Sequence, residues 1–249
     1  LFVFQEERWP PAEAQMRPDT DVAGMPQPPE STDLKIPFSV ISARIDDVQQ
    51  LVDTLLPETY YRLITRIWDE TDRIVESYGG QRSKRSGTEV QYIIPRHAET
   101  DPAFDAIRCA IELRDSVRES KKALESEGQW VADIRLNTGI SSGRDYLPED
   151  DPTASVAFML PGGAADQASH LSAIAQHGDI LITKSAFGHL SARQRERITF
   201  GIRRGNRLVP NIFAQVADLP GPPDHPPMGQ EIRTLSVTSI VDLKSDRAG

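Results

Sequence analysis

A single cysteine, Cys109, stands in 249 residues, which excludes an internal disulfide and any Cys-cluster zinc site. It falls within an apolar helical pattern, where a buried, inert thiol is expected, and a reducing compartment is permitted. Basic residues are also scarce: 28 Lys and Arg against 37 Asp and Glu leave a formal charge of -9. Nucleic-acid binding needs a concentrated basic surface that this balance does not supply. No apolar run approaches the ~20 residues that span a bilayer. Nor does the start look like a secretory signal, since Leu1-Phe2-Val3-Phe4 runs at once into Gln5-Glu6-Glu7-Arg8. The chain begins with Leu, so an anchor or sensor is expected to have preceded it if the protein is processed or truncated.

What the chain does contain is proline, 19 in all, gathered towards the ends. Pro10, Pro11, Pro18, Pro26, Pro28 and Pro29 punctuate a polar stretch without periodicity, read as an extended arm over residues 1–35. Pro220-Gly221-Pro222-Pro223 opens a C-terminal tail over 219–249, whose apolar Leu235–Leu243 is expected to form a short strand or lie against a neighbour. The whole chain, at 38% hydrophobic and 26% charged, has the make-up of a globular protein, and residues 36–218 between the arms are read as its one domain.

Inside that domain the periods alternate. Ile36 to Ile45 has the aliphatic, β-branched character of a buried strand. Leu63, Ile64, Ile67, Trp68, Thr71, Ile74, Val75 and Tyr78 recur at helical spacing and stop at Gly79-Gly80, a left-handed cap. Gln81 to Arg85 and Val90 to Pro95 read as a hairpin about Ser86-Gly87-Thr88. A helix opens at Asp101-Pro102, carries Phe104, Ile107, Ile111 and Val117 inward, and runs to about Gly128. Val131 to Ile140 follows as a strand, then Val156 to Leu160 as a strand, Gly162 to Ala175 as a helix, Asp179 to Thr183 as a strand, and strands near Ile198 and Ile212. The class is α+β, a ferredoxin-like βαββαβ core with added C-terminal strands, an antiparallel-rich sheet and helices on one face.

Five local stretches, in order, carry a resemblance. They are Phe38-Ser39-Val40-Ile41-Ser42-Ala43-Arg44-Ile45; Gly79-Gly80 followed by Lys84-Arg85-Ser86-Gly87-Thr88; Ala106 to Leu113; Ile134-Arg135-Leu136-Asn137-Thr138-Gly139; and Gly178 to Thr183. From Phe38 to about Val216 this layout resembles the catalytic domain of class III adenylate and guanylate cyclases. A generic ferredoxin-like domain shares the order of elements by convergence. Order alone does not account for the Asn-Thr-Gly turn and the Gly-Gly hairpin entrance together.

The resemblance implies two metal-binding aspartates on adjacent strands, serving the two-metal logic of in-line phosphoryl displacement. Arg44 and Thr88 stand at those positions. Hard cations need anionic oxygen ligands, so no metal and no cofactor are expected. Glu89 and Asp46 are the nearby acids; Glu89 is expected on the opposite face from Arg44, and Asp46 about 6.6 Å further along the strand. The family's ribose-orienting asparagine and phosphate-stabilising arginine fall on Asp166 and His170, which lacks arginine's planar fork. Lys84 matches a purine-selecting position whose companion is Met159.

Arg44, Lys84 and Arg85, with Arg82, either present a small anion-binding patch or are ion-paired with Asp46, Asp47 and Glu89. Glu149-Asp150-Asp151 reads as a solvated turn. The functional expectation is a non-catalytic cyclase-like module, cytoplasmic and attached or not to a larger assembly, acting on a protein partner or as a homo- or heterodimer. Extended arms suit such a role because they cover a large partner surface. The alternatives are a cyclase active only within a heterodimer and an anion or nucleotide sensor.

Overall fold

The computed structural model describes residues 35–97, 100–126, 134–145, 163–205, 207–220 and 229–244. The arm over 1–35, all but Lys35, lies outside them, as do the expected strand Val156–Leu160, the Glu149-Asp150-Asp151 segment and Met159.

The chain order begins β1 (Ile36–Ile45), α1 (Val48–Thr54), α2 (Pro57–Ser77), β2 (Gln81–Ser86), β3 (Glu89–Pro95), α3 (Pro102–Ser126) and β4 (Leu136–Asp145). It continues with α4 (Ala164–Ile174), β5 (Ile180–Thr183), α5 (Lys184–Gly188), α6 (Ala192–Arg197), β6 (Ile198–Arg204), β7 (Arg207–Pro210), β8 (Ala214–Gln215), α7 (Gln230–Arg233) and β9 (Ser236–Leu243).

The strands form one sheet in the order β2-β3-β1-β4-β5-β9-β6-β7, with β8 beside β9. Its first four strands have the ferredoxin-like arrangement. All pairings are antiparallel except β4 with β5. The Leu235–Leu243 stretch, set apart above with the tail, is β9, and it bridges β5 and β6 in mid-sheet. Its Val237, Thr238, Ser239 and Ile240 are all buried, as a strand covered on both faces requires. Ile212 falls in the connection between β7 and β8 and belongs to neither strand.

The two faces of the sheet are covered differently because side chains alternate along a strand. Ile41, Ala43 and Ile45 of β1 point into the main core with Trp68 of α2 and Ile107 of α3. Phe38 and Val40 point the other way, against Ala165 and Ala168 of α4. The expectation of helices on one face therefore holds for α2 and α3 but not for α4.

Gly139 makes that second layer possible. It is inside β4 and not at a turn, contrary to the Asn-Thr-Gly reading, and α4 crosses directly over it. A Cβ there would stand 2.1 Å from the Ala168 carbonyl oxygen and 2.6 Å from the Ser172 nitrogen. α2 ends as its sequence foretold: Gly79 takes φ 68°, and the Gly79 and Gly80 N–H groups donate to the Glu76 and Val75 carbonyls.

Candidate functional site

The candidate site is the α4-side surface at the C-terminal end of β1. Arg44 faces it because its neighbours Ala43 and Ile45 are claimed by the core on the opposite side. In the β1–β3 ladder Arg44 stands directly across from Glu89. Directly opposed residues share a face, so Glu89 lies beside Arg44, where the sequence reading had it on the far side.

The reason is the hairpin. Ser86 pairs with Glu89, leaving Gly87 and Thr88 as a two-residue turn in which Gly87 supplies a left-handed φ of 57°. Thr88 thus sits in the turn, and its carbonyl accepts the Ile45 N–H at 3.0 Å. Glu89 becomes the first ladder residue of β3, and the parity of the strand shifts by one from that assumed for Thr88.

Glu89 is saturated with donors. Its Oε2 accepts from the Arg44 guanidinium at 2.5 Å. Its Oε1 accepts from the Ser42 hydroxyl at 2.9 Å, the Ser169 hydroxyl at 2.6 Å and the Gln91 amide at 3.4 Å. Ser42 also lies 2.9 Å from Ser172, so two serines of α4 complete the cluster. The Glu89 side chain is 16% exposed and that of Arg44 35%. The Arg44 Nε–H is buried with no acceptor among the described residues, a cost of about 1–3 kcal/mol borne by the fold.

The other expected site residues are dispersed. Lys84 pairs with Gln91 across the β2–β3 ladder, so it shares the face of Glu89 and Arg44 and is exposed. Arg85 pairs with Val90 and points to the opposite face, where its guanidinium lies 5.9 Å from the Trp68 ring. Arg82 is ion-paired with Asp72. The basic patch is therefore divided between two faces and partly neutralised: Arg44 pairs with Glu89, one of the three acids named above, whereas Arg82 pairs with Asp72, which was not among them.

Asp46, the other acid considered beside the site, is committed elsewhere. Its Oδ2 accepts the His177 N–H at 3.1 Å. Asp166 and His170 sit one turn apart on α4: His170 Nδ1 is 2.8 Å from the Asp166 carbonyl oxygen and 3.2 Å from its carboxylate. They interact with each other on a partly exposed stretch of the helix.

Two divalent cations do not fit this donor set. A cation at Glu89 would have to displace the hydroxyl donors and share the carboxylate with a guanidinium. At ~4 Å that repulsion is about 4 kcal/mol per unit of charge product at an effective dielectric near 20, and double for a divalent ion. Among the described residues no three or more His, Cys, Asp and Glu side chains converge as a metal site.

The Ser42–Glu89–Ser169 cluster was not anticipated from sequence. The signal that could have found it is the length of the turn: Ser-Gly-Thr-Glu closes a two-residue hairpin on Gly87, which fixes the face of Glu89.

No protein-family model matches the chain, and no curated protein matches it. Solved structures do resemble it in fold. The adenylyl cyclase CyaB from P. aeruginosa aligns with a TM-score of 0.59 at 16% identity, covering 85% of this chain and 97% of that one. The guanylyl cyclase Cya2 aligns at 0.56 and 12% identity, covering 86% and 96%. The dimeric guanylyl cyclase domain of the RhoGC fusion protein from the aquatic fungus Blastocladiella emersonii aligns at 0.54 and 12%, covering 85% and 97%. At such identities the likeness is one of architecture, and it extends over nearly the whole of each cyclase domain. The chain has the fold of the class III adenylate and guanylate cyclase catalytic domain.

Proposed function

We propose that this domain is a non-catalytic version of the cyclase fold that works through protein contacts, as a regulatory or structural subunit. The observation that carries the reading is the Arg44–Glu89 pair. The carboxylate nearest the position where the fold's chemistry would place a metal is neutralised by a guanidinium and held by three further donors. Phosphoryl transfer on this fold rests on charge neutralisation by cations, and the Glu89 carboxylate that would have to receive one is already engaged by Arg44.

Protein contact is supported by exposed apolar side chains about the α1–α2 junction. Val52, Leu56 and Tyr61 are 48%, 75% and 71% exposed, closely spaced in sequence and far above what a solvated helix pair requires. One of the structures similar in fold is a dimeric cyclase domain, and a second copy or a related domain is the partner this reading favours.

The test is an assay for cyclic AMP and cyclic GMP formed from ATP and GTP with Mg²⁺ or Mn²⁺, alone and with candidate partner domains. It is combined with light scattering after size exclusion. Background product and a dimeric or partner-bound mass are expected. Turnover proportional to protein concentration would overturn the reading.

A further inference from the structure

A basic concavity lies on the face of the sheet opposite to Arg44 and Glu89, the face that α3 covers. A cleft of about 730 Å³ opens between the C-terminal half of α3 and the strand ends beneath it. α3 contributes Arg114, Arg118, Lys121 and Lys122, whose spacing of four, seven and eight residues places them along one stripe of the helix. The facing wall brings Arg135 from the start of β4, His177 from the loop before β5, and Arg203 from the end of β6. A helix C-terminus favours cations on α3 itself, but it does not account for two arginines arriving from separate strands.

The loop that carries His177 is held in a demanding shape. His177 has φ 58°, a left-handed conformation that costs a residue with a side chain of order 1–3 kcal/mol. Two side chains secure it: Asp46 accepts the His177 N–H at 3.1 Å, and Asn137 accepts the Gly178 N–H at 2.8 Å. So placed, His177 Nδ1 accepts from the Arg135 guanidinium at 3.0 Å, which leaves Nε2 as the ring's N–H donor.

Acidic groups do not balance the cleft among the described residues. Asp115 accepts from both Arg114 and Arg118 at its rim. Asp179 lies beneath, close enough to feel Arg203, His177 and Arg114, although burial raises its carboxyl above the ordinary range. Arg114, Arg118, Lys122 and Arg203 thus meet two carboxylates among the described residues, Asp115 and Asp179.

We propose that this cleft binds a small ligand bearing two or more phosphate groups. Guanidinium forks from α3, β4 and β6 suit tetrahedral oxyanions better than planar carboxylates approached from one side. The volume is that of a small-molecule site, within the usual ~300–1,000 Å³. A nucleic acid is disfavoured, because the positive charge is confined to one concavity on a chain of formal charge -9. This site is separate from the Arg44–Glu89 surface and does not depend on whether the domain is catalytic.

The test uses tripolyphosphate and inositol hexakisphosphate as soluble probes, followed by calorimetry and thermal shift, against wild type, Arg118→Gln with Arg203→Gln, and Arg73→Gln, an exposed arginine of α2 outside the cleft. One-to-one binding is expected, weakened at least tenfold in the double variant and unchanged in Arg73→Gln. Circular dichroism establishes that each variant is folded, and should Arg203→Gln unfold the chain, Arg118→Gln with Lys122→Gln serves instead. Capture by vesicles containing a phosphoinositide, competed by tripolyphosphate, would identify a lipid headgroup as the source of the same phosphate chemistry. Binding only to single-stranded RNA, equal binding by all variants, or no binding at millimolar probe would overturn the proposal.

Discussion

Arg44 and Glu89 stand opposite one another in the β1–β3 ladder and form an ion pair 2.5 Å long on the α4 side of the sheet. The pair joins a strand position where the resemblance to the cyclases implies a metal carboxylate to a residue one place beyond the other. A guanidinium and a carboxylate in this arrangement satisfy each other and leave little for a cation.

Removing one member of the pair strands the other. Glu89→Gln keeps the shape but leaves the Arg44 guanidinium half-buried without its counter-charge, and a loss of about 1–2 kcal/mol in urea denaturation is expected. Arg44→Met combined with Glu89→Gln should cost less than the sum of the two single changes, because no unpaired charge remains.

The second layer of the fold depends on a missing side chain. Gly139→Ala would drive a Cβ into the backbone of α4. A loss of about 3 kcal/mol, or failure to fold, is expected from overpacking against backbone that cannot retreat. Gly188→Ala, at a glycine with nothing within 4 Å of the added carbon, should stay within about 0.5 kcal/mol of wild type in the same assay.

Much of this architecture was legible in the sequence, and the limits have physical causes. The helical stripe from Leu63 to Val75 and the Gly79 cap could be read directly, because a 3.6-residue period and a left-handed glycine are local features. The face of Glu89 could not, because it turns on whether the hairpin loop holds two or three residues. Gly139 was read as a turn because nothing in the neighbouring sequence announces that α4 crosses above it. The central place of β9 depends on pairing with strands more than thirty residues away, which no local period encodes. The basic cleft escaped notice for the same reason: its arginines come from three elements widely separated along the chain.

Asp105 gives the domain a pH signature. It is buried at the start of α3, and burial raises its carboxyl above the ordinary 3.8, opposed by the Thr100 hydrogen bond and by Arg108 and His97, with Asp101 adding to the rise. The folded state therefore holds this proton to higher pH than the unfolded chain. Its contribution is most favourable below the unfolded value and falls as pH rises through the window up to the folded value. Asp105→Asn should flatten that decline, so the difference in urea midpoint, variant minus wild type, should grow more positive from pH 3.5 to pH 7.

Cys109 is fully buried in the α3 core, and burial drives its thiol well above the ordinary range, with Glu112 and Asp105 adding to the effect. A disulfide reagent such as Ellman's should leave the native protein unmodified over an hour at pH 8 and titrate one thiol in 6 M guanidinium.

The most direct measurement is diffraction at the manganese absorption edge from crystals grown with Mn²⁺ and a non-hydrolysable ATP analogue. The Arg44–Glu89 pair is expected to stay intact, with no anomalous peak beside it, whatever occupies the basic cleft on the other face. Two anomalous peaks bridged by Glu89, with Arg44 swung away and a triphosphate lying across them, would contradict that expectation.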